Sequence, residues 1–473
     1  MVFSSSLFLL YFLPLFLLLY YAVPYKLKNP LILLASILFY AWGAPKIIFM
    51  VLISIVADYF IARLINKHKG KQRTVWLWTA LAINIGLLAY YKYAGFFVEN
   101  ANTLLEKMGI APLPLLGIVL PIGISFFTFQ KMSYIVDVYR GVKSPMKYIW
   151  DYALFVLFFP QLIAGPILRF NEIADQITNR KHNENTDNRL AGFYRFAIGL
   201  AKKVLIANVL GAEADKILAL DYASLSTLTA WTGILAYAFQ IYFDFAGYSD
   251  MAIGLARMMG FVFPENFNNP YVSQSITEFW RRWHITLSNW MRDYLYIPLG
   301  GNRKGKARMY LNLWVVFLLS GLWHGASWNF VIWGSFHGLF LIADKLFLLK
   351  FLKMIGKYPS ILLTFTITLI GWVFFRIESL EQATVFIKKL FSFHTAGIPY
   401  HADNRFIFML GVAIFFSFVG AFGLGTFLEK NILAVKYTMA GHFVMTLLVI
   451  ILFALSLSYI ASSGFNPFIY FRF

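Results

Sequence analysis

Three histidines stand in a stretch unlike the rest of the chain. His284 closes the run Phe279-Trp-Arg-Arg-Trp-His284, His324 lies in Gly321-Leu-Trp-His-Gly325, and His337 precedes Gly338. An imidazole titrates near neutral pH and can take a proton from a hydroxyl, so it suits general base work. An ionisable side chain inside a bilayer is costly and invites a functional reading. The alternative for each is a packed histidine bonded to a backbone carbonyl or to another helix. Metal binding is a poor fit: the chain has no Cys and no His-x-x-x-His, and His324 and His337 are 13 residues apart, far from the spacing that puts two ligands on one helix face. His68, His182, His394, His401 and His442 lie in polar loops or near helix ends and read as solvated.

A second constellation is Gln240-Ile-Tyr-Phe-Asp244-Phe-Ala-Gly-Tyr-Ser-Asp250, which follows directly on an apolar run. Asp244 and Asp250 fit a polar cavity wall or an orienter for a histidine. They equally fit a helix end, with Asp250 capping the next helix and Asp244 paired to Arg281 or Arg282. Those two arginines, adjacent to His284, would also depress its pKa and keep it neutral. The stretch Gly300-Gly-Asn-Arg-Lys-Gly-Lys-Ala-Arg308 is glycine-rich and basic. Arg303, Lys304 and Lys306 suit the phosphates of a cytosolic donor, or a cytoplasmic loop of ordinary positive charge. The stretch lacks the Gly-Lys-Ser/Thr ending of a P-loop.

The elements that must position these residues are read from composition. Hydrophobic residues make up 60% of 473 positions and charged residues 13%, about half the charge of an ordinary soluble chain. Solid apolar blocks exclude alternating barrel strands, and spanning lipid otherwise requires helices. Runs such as Val2–Tyr25, Val75–Tyr91, Leu225–Phe243, Met309–Ala343 and Phe443–Phe465 predict roughly 10–13 transmembrane helices at about 20 residues each. Some of these are tilted, re-entrant or interfacial, because several runs are short or carry internal charge. The run Met309–Ala343 predicts a hairpin turning near His324–Asn329, where Gly325 and Asn329 favour a break. His324 would then sit about 24 Å of helix beyond Arg308. The polar stretch Arg169–Arg189 reads as a loop. The N-terminus lacks a positive n-region and a small-residue cleavage site and reads as a retained helix, not a signal peptide.

The formal charge of +19 is concentrated in short loops between apolar runs, as the positive-inside rule expects. It therefore points to a lipid bilayer and not to nucleic acid. The basic loops at Lys26–Lys28, Lys67–Arg73 and Arg140–Lys147 alternate with the charge-balanced segment Lys92–Lys107. This places the N-terminus outside and the basic loops in the cytoplasm.

Taken together, these motifs resemble the membrane-bound O-acyltransferase family. The likeness rests on Phe279–His284, Arg292-Asp-Tyr-Leu-Tyr296, Gly300–Gly305 and Gly321–Gly325, and extends to Tyr242–Ala252, Leu120-Pro-Ile-Gly-Ile-Ser-Phe126 and Leu162-Ile-Ala-Gly-Pro166. The opening Met1-Val-Phe-Ser-Ser5 and closing Phe468-Ile-Tyr-Phe-Arg-Phe473 resemble the branch of alginate O-acetyltransferase membrane subunits. Subunits for peptidoglycan and other glycan acetylation share the same motifs.

The resemblance implies an all-α polytopic membrane protein with a funnel or tunnel meeting near mid-membrane. It implies one integral membrane domain over 1–473, with N-terminal helices in 1–150, a catalytic core in 151–350 and C-terminal helices in 351–473. The principal catalytic histidine falls on His324 and the second on His284, with His337, Asp244, Asp250 and Asn329 in support. Acetyl-coenzyme A is the implied donor substrate, with no bound cofactor and no metal. The implied acceptor is an extracytoplasmic polysaccharide (alginate, peptidoglycan or similar), reached through a periplasmic or surface acetyltransferase partner, at the bacterial inner membrane. D-alanyl or other acyl transfer, a transporter with a histidine proton relay, and a non-catalytic scaffold are the rival readings.

Overall fold

Helix formation follows the apolar runs almost everywhere. The structure, a computed structural model, describes residues 2–115, 117–398, 400–425, 427 and 437–463. Met1 and the closing run Phe468–Phe473 lie outside the described residues. Among the described residues there are helices of several kinds and no β-strand. The protein is thus an all-α, multi-pass membrane protein.

Five described helices are long and apolar enough to cross a membrane: Ile47–Lys67, Gly70–Lys107, Lys357–Arg376, Asn404–Ala421 and Met439–Ser462. Other apolar runs form helices that are shorter or less apolar. The N-terminal run yields only a short apolar helix, Phe8–Ala22. The run Met309–Ala343 is cut in two: one helix covers Lys306–His324 and the next Trp328–Ala343. Gly325, in extended conformation, ends the first. This is the expected hairpin.

The chain separates into two compact units, Met1–Asn183 and Glu184–Phe473. The helix Ile149–Leu157 packs on Tyr25–Gly43 and Ile47–Lys67, within the N-terminal unit. The stretch Arg169–Arg189 is not simply a loop. Phe170, Ile173, Ala174 and Ile177 form the buried face of a helix Phe170–Thr178, which opens with an Arg169–Glu172 capping box. In the N-terminal unit, Asp58 and Lys131 form a buried ion pair at 3.1 Å, with Asn84 donating to Asp58 at 2.9 Å.

The C-terminal unit carries the three histidines. Its helices cross closely where glycines allow backbones to touch. A Cβ at Gly199 would lie 2.6 Å from the carbonyl oxygen of Gly247, and one at Gly192 would lie 2.7 Å from that of Gly254. These crossings lock Thr186–Ala201 against the 32-residue helix Thr227–Met258. The histidine hairpin uses the same device: a Cβ at Gly321 would run into the Phe330 carbonyl, and one at Gly334 into that of Phe317.

Candidate functional site

His324 is the last residue of its helix and is buried. The unbroken helix from Lys306 to His324 separates the basic loop from this imidazole by about 27 Å at 1.5 Å per residue. His284 arrives from a different direction. It stands between the short helices Ile276–Arg282 and Ile285–Met291 with φ of 43°, a left-handed conformation that few residues other than glycine adopt. This sharp turn points the fully buried His284 ring towards the hairpin. The ring centroids of His284 and His324 lie 6.4 Å apart. Two imidazoles in a direct hydrogen bond would have centroids about 5 Å apart, so these two lie side by side without bonding each other.

Aromatic rings surround the pair. Trp323 lies 4.9 Å from His324 and 5.9 Å from His284, and Phe245 lies 4.7 Å from His284. Trp333 stands 5.1 Å from His324 and 5.1 Å from His337, so it separates the two histidines of the hairpin. Phe375 closes the far side of His324 at 5.2 Å. Such walls exclude water and strengthen any electrostatic interaction formed among them.

His337 is fully buried one helix turn beyond Trp333, against Trp280 at 5.0 Å. Neither ring nitrogen of His284 or His337 has a hydrogen-bond partner among the described residues. His284 lies outside the five candidate spans, and burial pushes its pKa down to about 3. The cause of this downward shift is desolvation and not the neighbouring arginines. Arg282 is engaged elsewhere, with Glu278 at 2.8 Å.

Asn329 sits in the first turn after the hairpin and donates to the Phe374 carbonyl at 3.3 Å. It thereby ties the turn to Lys357–Arg376, the helix that supplies Phe375. Asp244 and Asp250 do not mark a helix end. Both lie within Thr227–Met258, which runs on to Met258. The cation beside Asp244 is also neither Arg281 nor Arg282. Asp244 pairs with Lys203 at 2.9 Å, and Asp250 pairs with Arg195 at 2.8 Å and Lys202 at 2.7 Å. The glycine crossings explain this, because they bring Arg195 of Thr186–Ala201, and Lys202 and Lys203 that directly follow it, alongside the carboxylates.

Arg303, Lys304 and Lys306 are exposed; the first two lie in a loop turned by Gly300, Gly301 and Gly305, all at positive φ, and Lys306 opens the helix that follows. None of the three forms an ion pair among the described residues. No group of three or more metal-ligating side chains occurs among the described residues either.

Sequence reading missed Trp333, Trp280 and Phe375 as walls of the site. Tryptophan density around the histidines was the available signal. Gly371 was also missed: a Cβ there would lie 2.7 Å from His337 Nε2.

Comparison with known proteins covers this same region. The family model for the membrane-bound O-acyltransferase family matches residues 127–375, more than half of the chain. The "Probable alginate O-acetylase AlgI" of Pseudomonas putida is 42% identical over 100% of both chains. The protein of the same description from Pseudomonas aeruginosa is 47% identical over 84% of this chain and 76% of its own. The "Peptidoglycan O-acetyltransferase" of Helicobacter pylori is 39% identical over 82% of this chain and 80% of its own.

Proposed function

Since the chain belongs to the membrane-bound O-acyltransferase family, we propose that it takes acetyl from cytosolic acetyl-coenzyme A and passes it across the bacterial inner membrane to a cell-envelope glycan. The relatives described as alginate and peptidoglycan O-acetyltransferases support a glycan as acceptor. The observation that carries the reading is the approach of His284 and His324, 40 positions apart in the chain, to centroids 6.4 Å apart among aromatic rings.

In this reading His324 accepts the proton of an acceptor hydroxyl, either on the glycan or on the serine of a periplasmic or surface partner acetyltransferase. The freed oxygen attacks the thioester carbonyl, the new C–O bond forms, and the C–S bond breaks. The proton held on His324 then passes to the departing thiolate. His284, kept neutral by burial, donates a hydrogen bond that orients the donor or stabilises the developing oxyanion. Arg303, Lys304 and Lys306, about 27 Å of helix away, lie too far off to touch the reacting carbon. They suit the remote phosphates of an extended donor. Asp244, Asp250 and Asn329 act through packing: the two carboxylates hold the helices together and Asn329 holds the hairpin turn. His337 supports the far side of Trp333.

The test uses the purified full-length protein in proteoliposomes with acetyl-coenzyme A, an envelope glycan and the cognate partner. His324→Ala should insert and fold normally while transfer falls by about 10²–10⁴-fold, the usual loss on removing a general base. Wild-type transfer by that variant would overturn the mechanism.

A further inference from the structure

The distance between His284 and His324 depends on how the short helix Ile276–Arg282 sits on the hairpin, and one carboxylate joins the two. Asp344 directly follows Trp328–Ala343, at the start of a π-helical turn. It is buried, and its Oδ2 accepts from the Thr277 backbone N–H at 2.7 Å. Trp333, His337 and Asp344 are spaced four and then seven residues apart, which puts them on one face of the helix. That face meets the short helix in register: Trp280 against Trp333 at 5.6 Å, Phe279 and Trp280 against His337 at 6.4 and 5.0 Å, and Thr277 against Asp344. The first two contacts are aromatic and tolerate sliding along the helix. The third is a hydrogen bond, which depends on distance and direction far more steeply.

We infer that Asp344 is a positioning residue for the histidine pair. It sets the register of Ile276–Arg282 on the hairpin, and so sets where the left-handed turn delivers the His284 ring. Ser275 Oγ, which accepts from the Glu278 N–H at 3.1 Å, caps the short helix from within its own chain segment. Among the described residues, the Asp344–Thr277 hydrogen bond ties the helix start to the segment that continues the helix bearing His337. This inference rests on the histidine reading above, and it concerns geometry that can be measured without catalysis.

The experiment compares Asp344→Ala and Asp344→Asn in the full-length protein. Asparagine keeps an acceptor oxygen at the same reach; alanine does not. A shift of about 1 Å in a reacting group can cost about 10²-fold in rate. Asp344→Ala should therefore lower kcat by at least about tenfold while the KM for acetyl-coenzyme A changes less than about twofold. Asp344→Asn should stay within about threefold of wild type. Hydrogen exchange gives the second readout: peptides covering 274–284 should exchange faster in Asp344→Ala and not in Asp344→Asn, with peptides from 306–324 unchanged. Equal losses in the two variants, wild-type kcat in Asp344→Ala, or unchanged exchange over 274–284 would each overturn the inference. If Asp344→Ala fails to accumulate, loss of transfer with wild-type exchange in Asp344→Asn does so. Failure of the histidine mechanism would show separately, as activity retained in His324→Ala with the exchange result intact.

Discussion

Nε2 of His337 faces a missing side chain: a Cβ on Gly371 would lie 2.7 Å from it. Gly371 sits in the middle of Lys357–Arg376, next to Trp372, which lies 6.2 Å from Trp333. The space that His337 occupies therefore exists because position 371 has no Cβ. Alanine normally stabilises a helix by about 1 kcal/mol over glycine. At Gly371 overpacking should outweigh that gain, giving a net loss of about 1–2 kcal/mol and reduced transfer. Gly411, in Asn404–Phe418, meets nothing within 4 Å, so Gly411→Ala should be neutral or stabilising. Thermal unfolding in detergent checks both, and equal behaviour of the two variants would contradict the packing argument.

Lys203 and Asp244 form a buried pair at 2.9 Å, and Lys203 also donates to Asn208 at 2.6 Å. Removing one partner leaves an uncompensated buried charge, which costs about 3–5 kcal/mol. Lys203→Met should destabilise by that order. The double variant Lys203→Met with Asp244→Leu should recover much of the loss, because an apolar pair of similar volume replaces a desolvated one. A double-mutant cycle on unfolding midpoints measures the coupling, and additive losses would show that the pair is not the source.

The buried, neutral His284 predicts a pH dependence of stability. Its folded pKa, pushed down to about 3, lies below the unfolded value of about 6.5. The unfolded chain thus binds the extra proton first as pH falls. Stability contributed by this site is full above about pH 6.5 and declines by up to about 1.4 kcal/mol per pH unit below it. His284→Gln should flatten this acid-side decline. It should also leave the pH profile of transfer between 5.5 and 8.5 unchanged in shape, whereas His324→Gln should alter it. Unfolding midpoints and initial rates across pH provide the two readings. An unaltered acid-side decline in His284→Gln would assign the dependence to another group.

The orientation of the donor side can be tested cleanly because the chain contains no cysteine. Lys304 is exposed in the basic loop, so Lys304→Cys offers a single reactive thiol. An impermeant maleimide should label it in inverted vesicles and not from outside intact cells. Labelling from outside would reverse the orientation and with it the side from which the donor enters.

Much of the local structure was legible in the sequence. Apolar runs specified helices, because a buried backbone must satisfy its own hydrogen bonds. Gly325 and Asn329 marked the hairpin turn, and the histidine motifs marked the candidate site. The helix Phe170–Thr178 was also encoded, in apolar residues spaced three and four apart and in a capping glutamate, though a charge-rich stretch disguised it as a loop. What only the tertiary structure decided is which faces meet. Nothing near Asp244 in the chain indicates Lys203 as its partner; the backbone approach at Gly199 and Gly247 does. Nothing around Gly371 indicates His337, and nothing around Thr277 indicates Asp344. Residue pattern fixes the conformation of each segment over a few turns, whereas side-chain contacts between segments depend on how helix surfaces interlock. For that reason His284 and His324 were each recognisable alone, while the 6.4 Å between their rings and the tryptophan walls around them belong to the packed bundle.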